Sequence, residues 1–144
     1  METGAHLRLI FGKANKAIEK LDKASISKIG INFTDFTIME ALFHKGPMPI
    51  NTIGEKVLLT SGSMTAAANR LEKKGMVERI KDPSDGRCYY LHLTRKGLKL
   101  IRWAYKGHSK NLSRLFECLD DREQEDLARL LKKVGKHAMQ IEAK

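Results

Sequence analysis

The chain has 144 residues, 42% of them hydrophobic and 31% charged, a balance that fits one globular domain and excludes a disordered chain. Its formal net charge of +10 at pH 7 favours a polyanionic partner. No apolar run approaches the roughly 20 residues of a membrane span, and the first residues lack the basic-then-apolar order of a signal peptide, so we expect a cytoplasmic protein with no membrane partner.

Two helices are predicted in the first third of the chain. Apolar residues recur at spacings of three and four over residues 5–27, with lysines on much of the other face, which is the pattern of an amphipathic helix. Thr34 is expected to cap the second helix, because a threonine hydroxyl accepts hydrogen bonds from the free N–H groups at a helix start. Gly46 and Pro47 end that helix.

A helix–turn–helix is predicted next. Apolar residues over 50–57 indicate a short third helix, and residues 58–59 turn the chain. Thr60 or Ser61 caps the fourth helix, whose apolar positions follow an i, i+3, i+4, i+7 pattern, and Gly75 ends it. Two helices in this arrangement allow the second to enter a DNA groove.

A β-hairpin and two long helices complete the chain. Residues 77–81 and 88–93 predict two paired strands. Thr94 caps the fifth helix, whereas Asp120 and Asp121 break it and cap the sixth, where their charge suits the helix dipole. The first, fifth and sixth helices carry apolar stripes outside the compact winged helix, so we expect a twofold partner to cover them.

The fourth helix has the residues of a DNA-binding helix. Eight of its residues are expected to contact DNA: Ser61, Gly62, Ser63, Thr65, Ala66, Asn69, Arg70 and Lys73. The hydroxyls suit phosphate oxygens, the two small residues allow close approach to base edges, Asn69 suits adenine, and Arg70 or Lys73 suits phosphate or guanine. Residues 61–99 hold nine Lys/Arg and four Asp/Glu, a local surplus of positive charge. The alternative is a capped amphipathic helix with solvated basic side chains.

The tip of the hairpin adds a second candidate contact. Arg87 suits a narrow minor groove, where the negative potential is strongest. Asp85 is expected to orient the Arg87 guanidinium through a charge-assisted pair. For an isolated hairpin, an ordinary turn with a surface ion pair is the alternative. The preceding helix–turn–helix favours DNA binding.

The central part of the chain resembles the MarR-type regulators. Residues 58–79 are similar to their recognition helix and first wing strand. Asp-Pro-Ser-Asp-Gly-Arg at 82–87 is similar to their wing tip, and Leu-Thr-Arg-Lys-Gly at 93–97 to the start of their long dimer helix. The resemblance is specific over residues 34–97 and only architectural elsewhere.

This resemblance implies a winged-helix homodimer that binds pseudo-palindromic double-stranded DNA. Thr65 and Arg70 match positions that commonly touch DNA in the family, and Arg87 matches its minor-groove arginine. It further implies release by a small ligand, aromatic compounds included, or by oxidation. No residue pattern marks the ligand pocket, so the ligand-binding residues are unknown at this point.

The predicted fold class is mainly α with a small β-wing. We expect one domain over residues 1–144, with an N-terminal dimerisation helix at 1–32, the winged helix-turn-helix region at 33–94 and C-terminal dimerisation helices at 95–144. The predicted function is a sequence-specific, ligand-responsive repressor whose half-sites lie about 10 base pairs apart. A winged helix for protein–protein contact and an architectural DNA-binding protein without sequence preference are the two alternatives.

Patterns of an enzyme or metal site are not found in the sequence. It has no Walker loop, nucleophile elbow or paired catalytic carboxylates, and its five histidines form no close ligand pair. We therefore predict no catalytic residue, metal or cofactor, and we expect His108, on an apolar stripe, to be a packed or interface residue rather than a ligand.

The two cysteines suggest no disulfide framework. Cys88 follows Arg87, and a neighbouring guanidinium favours the reactive thiolate, but a small strand residue is the preferred interpretation. Cys118 lies near acids and is expected to be inert. The N-terminal cysteine of peroxide-sensing MarR-type regulators has no counterpart here, because no cysteine precedes Cys88.

Overall fold

The structure, a computed structural model, describes residues 3–57 and 59–142. In chain order, the elements are α1 (Gly4–Ser27), α2 (Phe33–Lys45), β1 (Met48–Pro49), α3 (Ile50–Lys56), α4 (Ser61–Lys73), β2 (Val77–Lys81), β3 (Tyr89–Leu93), α5 (Arg95–Phe116) and α6 (Asp121–Glu142). This mainly helical fold with a small β-sheet confirms the predicted fold class.

The chain forms two compact units, Met1–His108 and Ser109–Lys144. The boundary between them falls inside α5. The predicted boundaries at 32/33 and 94/95 separate segments by role, dimerisation or DNA binding. These roles do not follow from compactness, so the boundaries stay a prediction.

Polar side chains cap the first turns of α2 and α4, whereas α3 begins after Pro49 without a side-chain cap. Asn32 caps α2, since its Oδ1 accepts a hydrogen bond from the backbone N–H of Asp35 at 2.8 Å. The predicted cap at Thr34 is wrong because α2 already begins at Phe33, which puts Thr34 inside the first turn. Thr60, one of the two predicted caps, caps α4 and accepts from a backbone N–H at 3.2 Å.

Of the predicted caps after the wing, Thr94 and Asp120 are confirmed, whereas Asp121 is wrong as a cap because it is already the first residue of α6. Thr94 Oγ1 accepts from the backbone N–H of Gly97 at 3.0 Å at the start of α5. Asp120 and Glu123 cap α6 reciprocally: the side chain of each accepts from the backbone N–H of the other, at 2.8 and 2.9 Å. Leu58, part of the predicted turn before α4, lies outside the described residues.

The core of the Met1–His108 unit is built from the C-terminal end of α1, from α2, α3 and α4, and from the sheet and the first half of α5. Its largest side chains are at most 1% exposed and include Phe36, Met39, Ile53, Met64, Leu71, Leu91 and Ile101. Burying apolar surface contributes roughly 25 cal/mol per Å² to stability. Because the buried residues of α4 all lie on one face, this gain holds that face against the core and fixes the orientation of the helix. The face of α4 opposite the core is therefore the face left for a partner.

Two glycines permit close contacts that hold α4 and the wing in place. A Cβ added to the buried Gly54 would lie 3.3 Å from Cγ of Met64, so α3 and α4 pack tightly at this point. A Cβ at Gly97 would overlap the backbone carbonyl oxygen of Met76. The first turn of α5 therefore rests directly on the chain that enters β2.

The β-sheet is antiparallel with strand order β1-β3-β2. β2 pairs with β3 from Val77 opposite Leu93 to Lys81 opposite Tyr89. The two-residue strand β1 was not predicted, because so short a segment carries no alternation and forms only through its pairing with β3. Cys88 precedes β3 rather than beginning it.

In the Ser109–Lys144 unit, the apolar side chains of α6 are largely exposed. Among the described α6 side chains, 121–141, only Leu127 is half-buried and the others are exposed. The exposed apolar residues of α6 include Leu130, Leu131, Val134, Met139 and Ile141. In the described part of the chain, no helix combines the length and the apolar character needed to cross a membrane.

Candidate nucleic-acid interface

The side chains of α4 divide between the core and solvent as predicted. Met64, Ala67, Ala68 and Leu71 are buried. The eight residues predicted to contact DNA are all exposed. The apolar periodicity of the helix therefore identified the free face, and the hydrogen bonds of this face determine what each side chain can offer a partner.

The hydroxyl groups at the start of α4 are not equivalent. Thr65 Oγ1 donates to the backbone carbonyl of Ser61 at 3.0 Å, so its proton is used within the helix. Thr60 Oγ1 donates to Ser63 Oγ at 3.0 Å, which leaves the Ser63 proton available to a phosphate oxygen. The Ser61 hydroxyl has no partner among the described residues.

Gly62 and Ala66 are the smallest residues on the exposed face of α4, so the face protrudes least at these two positions. A Cβ added to Gly62 would meet no atom within 4 Å, so the fold itself does not require glycine there. The small side chains let the α4 backbone approach a flat partner closely. Their approach to base edges stays a prediction.

Arg70 has a partner that sequence reasoning missed. Its Nη2 lies 2.9 Å from Oδ1 of Asp35, a residue of α2 that is fully buried. The Arg70 side chain remains 43% exposed, so it spans from this buried carboxylate to the surface. Asp35 Oδ2 is buried and has no hydrogen-bond partner in the described part of the chain. No local pattern could reveal this pair, because the two residues lie 35 positions apart.

Asn69 is held by the wing. Arg79 Nη2, from β2, lies 2.6 Å from Asn69 Oδ1. Arg79 Nη1 lies 2.8 Å from Oε1 of Glu72, which anchors the guanidinium. Lys73 at the end of α4 is exposed and forms no ion pair within residues 3–57 and 59–142.

Hydrogen bonds within the turn shape the wing tip. Asp82 Oδ1 accepts from the backbone N–H of Ser84 at 2.9 Å and from its hydroxyl at 2.8 Å. These bonds, the backbone one foremost, hold the pKa of Asp82 below its ordinary value of 3.8. Asp85 Oδ1 accepts from the backbone N–H of Arg87 at 3.1 Å. Arg87 itself is exposed.

The expected ion pair between Asp85 and the Arg87 guanidinium is not formed between these two described side chains. At a spacing of two residues the turn brings the backbone N–H, rather than the guanidinium, to the carboxylate. Asp85 therefore shapes the turn, and the Arg87 guanidinium remains available.

A cleft of about 590 Å³ separates α4 from the wing tip. Its wall includes Ser61 and Thr65 of α4 on one side and Asp85 and Arg87 on the other. Cys88 also lines this cleft and is half-buried.

The second cysteine, Cys118, lies outside the cleft. It is exposed, and its thiol donates to the carbonyl of Leu115 at 3.6 Å.

His108 is packed, as predicted. It is 7% exposed, and its ring meets Phe36 edge-on with centroids 5.1 Å apart. Its Nε2 lies 3.8 Å from Oδ1 of Asp22. Burial raises the pKa of Asp22 above its ordinary value of 3.8, while His108 opposes the rise and Glu19 adds to it. No group of three or more metal-ligating side chains occurs in the described residues.

Comparison with known proteins assigns the chain to a family. The sequence model of the MarR family matches residues 31–89. The chain is 33% identical over 143 residues to the HTH-type transcriptional regulator MhqR of Bacillus subtilis strain 168, and the match covers 99% of each protein.

Solved structures share the fold. A MarR mutant from E. coli complexed with operator DNA has a TM-score of 0.81 at 24% identity, covering 89% of this chain and 92% of that one. NadR in complex with 4-hydroxyphenylacetate has a TM-score of 0.77 at 24% identity, covering 94% of each chain. The relationship to MhqR over almost the full length of both proteins, together with the matched family model, shows that this chain belongs to the MarR family of HTH-type transcriptional regulators.

Proposed function

We propose that the protein binds pseudo-palindromic DNA as a homodimer, with α4 in the major groove and Arg87 in the adjacent minor groove. The observation that carries this proposal is the pairing of two exposed elements across one cleft: the free face of α4 and the wing tip. Both are anchored, α4 by the core and the tip by Asp82 and Asp85. A rigid pair of this kind suits adjacent grooves of a duplex.

Exposed apolar surface supports the dimer. Leu7, Ile10 and Phe11 of α1 are 48–54% exposed, and α6 carries an exposed apolar stripe of its own. Surfaces of this kind mark interaction sites, and most homo-oligomers are twofold dimers. We assign residues 1–32 and 95–144 to dimerisation and residues 33–94 to DNA binding. Such a regulator would work in the cytoplasm, beside the chromosome.

Arg87→Ala tests the proposed wing contact. Loss of this guanidinium is expected to weaken binding to a selected duplex by about 1–3 kcal/mol and to reduce the salt slope by about one. Fluorescence anisotropy over a salt series measures both quantities. Arg129→Ala removes the same charge from an exposed position on α6 and serves as the control. Equal effects of the two substitutions would exclude a specific role for the wing.

The two alternatives predict different results with the wild-type protein. A winged helix for protein–protein contact would bind no duplex even at low salt. An architectural protein would protect all sequences uniformly in a footprint. A sequence-specific repressor is instead expected to protect discrete sites with half-sites about 10 base pairs apart.

A small aromatic effector is the proposed signal. Its support is the family membership together with the ligand named for NadR, which shares the fold. An effector releases DNA only if it binds one dimer geometry better than the other. A thermal-shift screen of aromatic acids, phenols and quinones should raise the melting temperature with at least one class. If none of them changes melting or DNA binding, aromatic control is ruled out.

A further inference from the structure

A hydrogen bond from Arg79 fixes the orientation of the Asn69 side-chain amide. Arginine carries only hydrogen-bond donors, so the amide atom 2.6 Å from Arg79 Nη2 must be the oxygen. The guanidinium is itself anchored, because Glu72 accepts from Arg79 Nη1 at 2.8 Å and from the Arg79 backbone N–H at 3.3 Å. The amide oxygen of Asn69 therefore faces β2.

The amide nitrogen of Asn69 is the group left for a partner. Asn69 is exposed, and its Nδ2 has no hydrogen-bond partner within residues 3–57 and 59–142. A bidentate contact with adenine requires the oxygen to accept from the N6 amino group while the nitrogen donates to N7. The bond with Arg79 occupies one of the two lone pairs of the Asn69 oxygen, so an adenine N6 amino group would have to approach the second lone pair beside a guanidinium cation whose N–H groups repel another donor.

We infer that Arg79 makes Asn69 a donor-only contact, which recognises an acceptor on DNA rather than the donor–acceptor edge of adenine. The acceptor is a base-edge atom, such as purine N7, guanine O6 or thymine O4, or a phosphate oxygen. This inference rests on the proposed insertion of α4 into the major groove. It replaces the adenine contact expected from the sequence with a donor contact and makes Arg79 a positioning residue for specificity.

The test begins with the preferred site of the wild-type protein, selected from a random duplex library. Affinities for this site and for its single-base variants are then measured for Asn69→Ala, Arg79→Met and the double variant. Asn69→Ala should lose roughly two- to tenfold in affinity, as expected for one hydrogen bond. Arg79→Met should shift the base preference toward adenine at the position that Asn69→Ala relaxes, and should have no such effect when Asn69 is absent.

Modified duplexes separate the two sources of the acceptor. If the acceptor is on a base, the loss in Asn69→Ala depends on one base pair of each half-site. If it is a phosphate oxygen, the loss is the same on all sequences and disappears when one phosphate is replaced by methylphosphonate. The phosphate outcome supports a donor-only Asn69, and the base outcome supports it when the purine substitution described next causes no Asn69-dependent loss.

Replacement of adenine by purine, which keeps N7 but lacks the 6-amino group, gives the opposing test. An Asn69-dependent loss on this substitution would mean that the amide oxygen accepts from adenine, and the inference would fail. Independent effects of Arg79→Met and Asn69→Ala on base preference would also overturn it.

Controls separate folding and docking from this inference. Asn15→Ala makes the same truncation at an exposed position of α1 and should leave DNA affinity unchanged. Arg79→Lys keeps a donor for Asn69, so it should retain the wild-type base preference even if Arg79→Met melts early. If Arg87→Ala weakens binding but the Asn69 variants do not, only the inference fails. If neither weakens binding, the proposed docking of α4 and the wing fails as well.

Discussion

Individual residues on the exposed face of α4 differ in what they can offer DNA. Ser63 keeps a free hydroxyl proton, whereas Thr65 donates its own to the helix backbone. Asn69 is held by Arg79, and Arg70 by Asp35. Exposure alone does not make a side chain available, since a hydrogen bond within the protein removes a donor or acceptor from the set that a base can use.

Gly62 provides a residue-scale test of close approach. Gly62→Ala should stabilise α4 by up to about 1 kcal/mol, because alanine has the higher helix propensity and the added Cβ meets no atom of the protein. It should nevertheless weaken DNA binding by about tenfold, near 1.4 kcal/mol, if the backbone lies against base edges. Urea unfolding and anisotropy measure the two effects.

Gly107→Ala is the matched control for that substitution. Gly107 lies in α5, and its added Cβ also meets no atom within 4 Å. The same gain in stability with no change in DNA affinity is expected. Unchanged DNA binding by Gly62→Ala would place the major-groove contact elsewhere on α4.

At the scale of elements, the pair between Asp35 and Arg70 ties α2 to α4, the proposed DNA-binding helix. The carboxylate is fully buried, while the guanidinium is partly exposed. This asymmetry matters energetically, because an exposed guanidinium can be solvated after its partner is removed, but a buried carboxylate cannot. The two halves of the pair should therefore differ in what their removal costs.

Arg70→Ala is expected to lower the free energy of unfolding by about 3 kcal/mol, because it leaves the Asp35 carboxylate buried and unpaired. Asp35→Asn should cost less, and the double substitution should recover most of the loss. Urea unfolding at one protein concentration gives the comparison. If the double variant binds DNA with wild-type affinity, Arg70 serves α4 only as a structural anchor.

At the scale of the whole molecule, the apolar stripe of α6 remains exposed to solvent in the single chain. Val134 is 67% exposed and Met139 is 71% exposed on α6. A charge placed on this stripe would be forced out of water on dimerisation, which is costly without a partner. A charge on the polar face would remain solvated.

Val134→Glu is therefore expected to dissociate the proposed dimer, whereas the adjacent Lys133→Glu should not. Sedimentation velocity at micromolar concentration measures the assembly, and circular dichroism monitors folding. A folded, dimeric Val134→Glu protein would contradict a twofold interface on this stripe of α6.

Helix positions and the wing could be predicted because their signals are local. Periodic apolar residues identified α4 and its free face, and Thr94 and Asp120 marked helix starts by their own hydrogen-bonding capacity. The error at Thr34 has the same origin, since Asn32 and Thr34 both suit a cap and the local signal does not choose between them.

The sequence by itself determined the order of the six helices and the two wing strands, the basic character of the central region and the family resemblance. Only the tertiary structure decided the partners of individual side chains: Asp35 for Arg70, Arg79 for Asn69, and the backbone of Met76 beneath Gly97. The reason is physical. Periodicity and capping depend on neighbours in sequence, whereas a hydrogen bond depends on which groups the packed core brings within about 3 Å of each other.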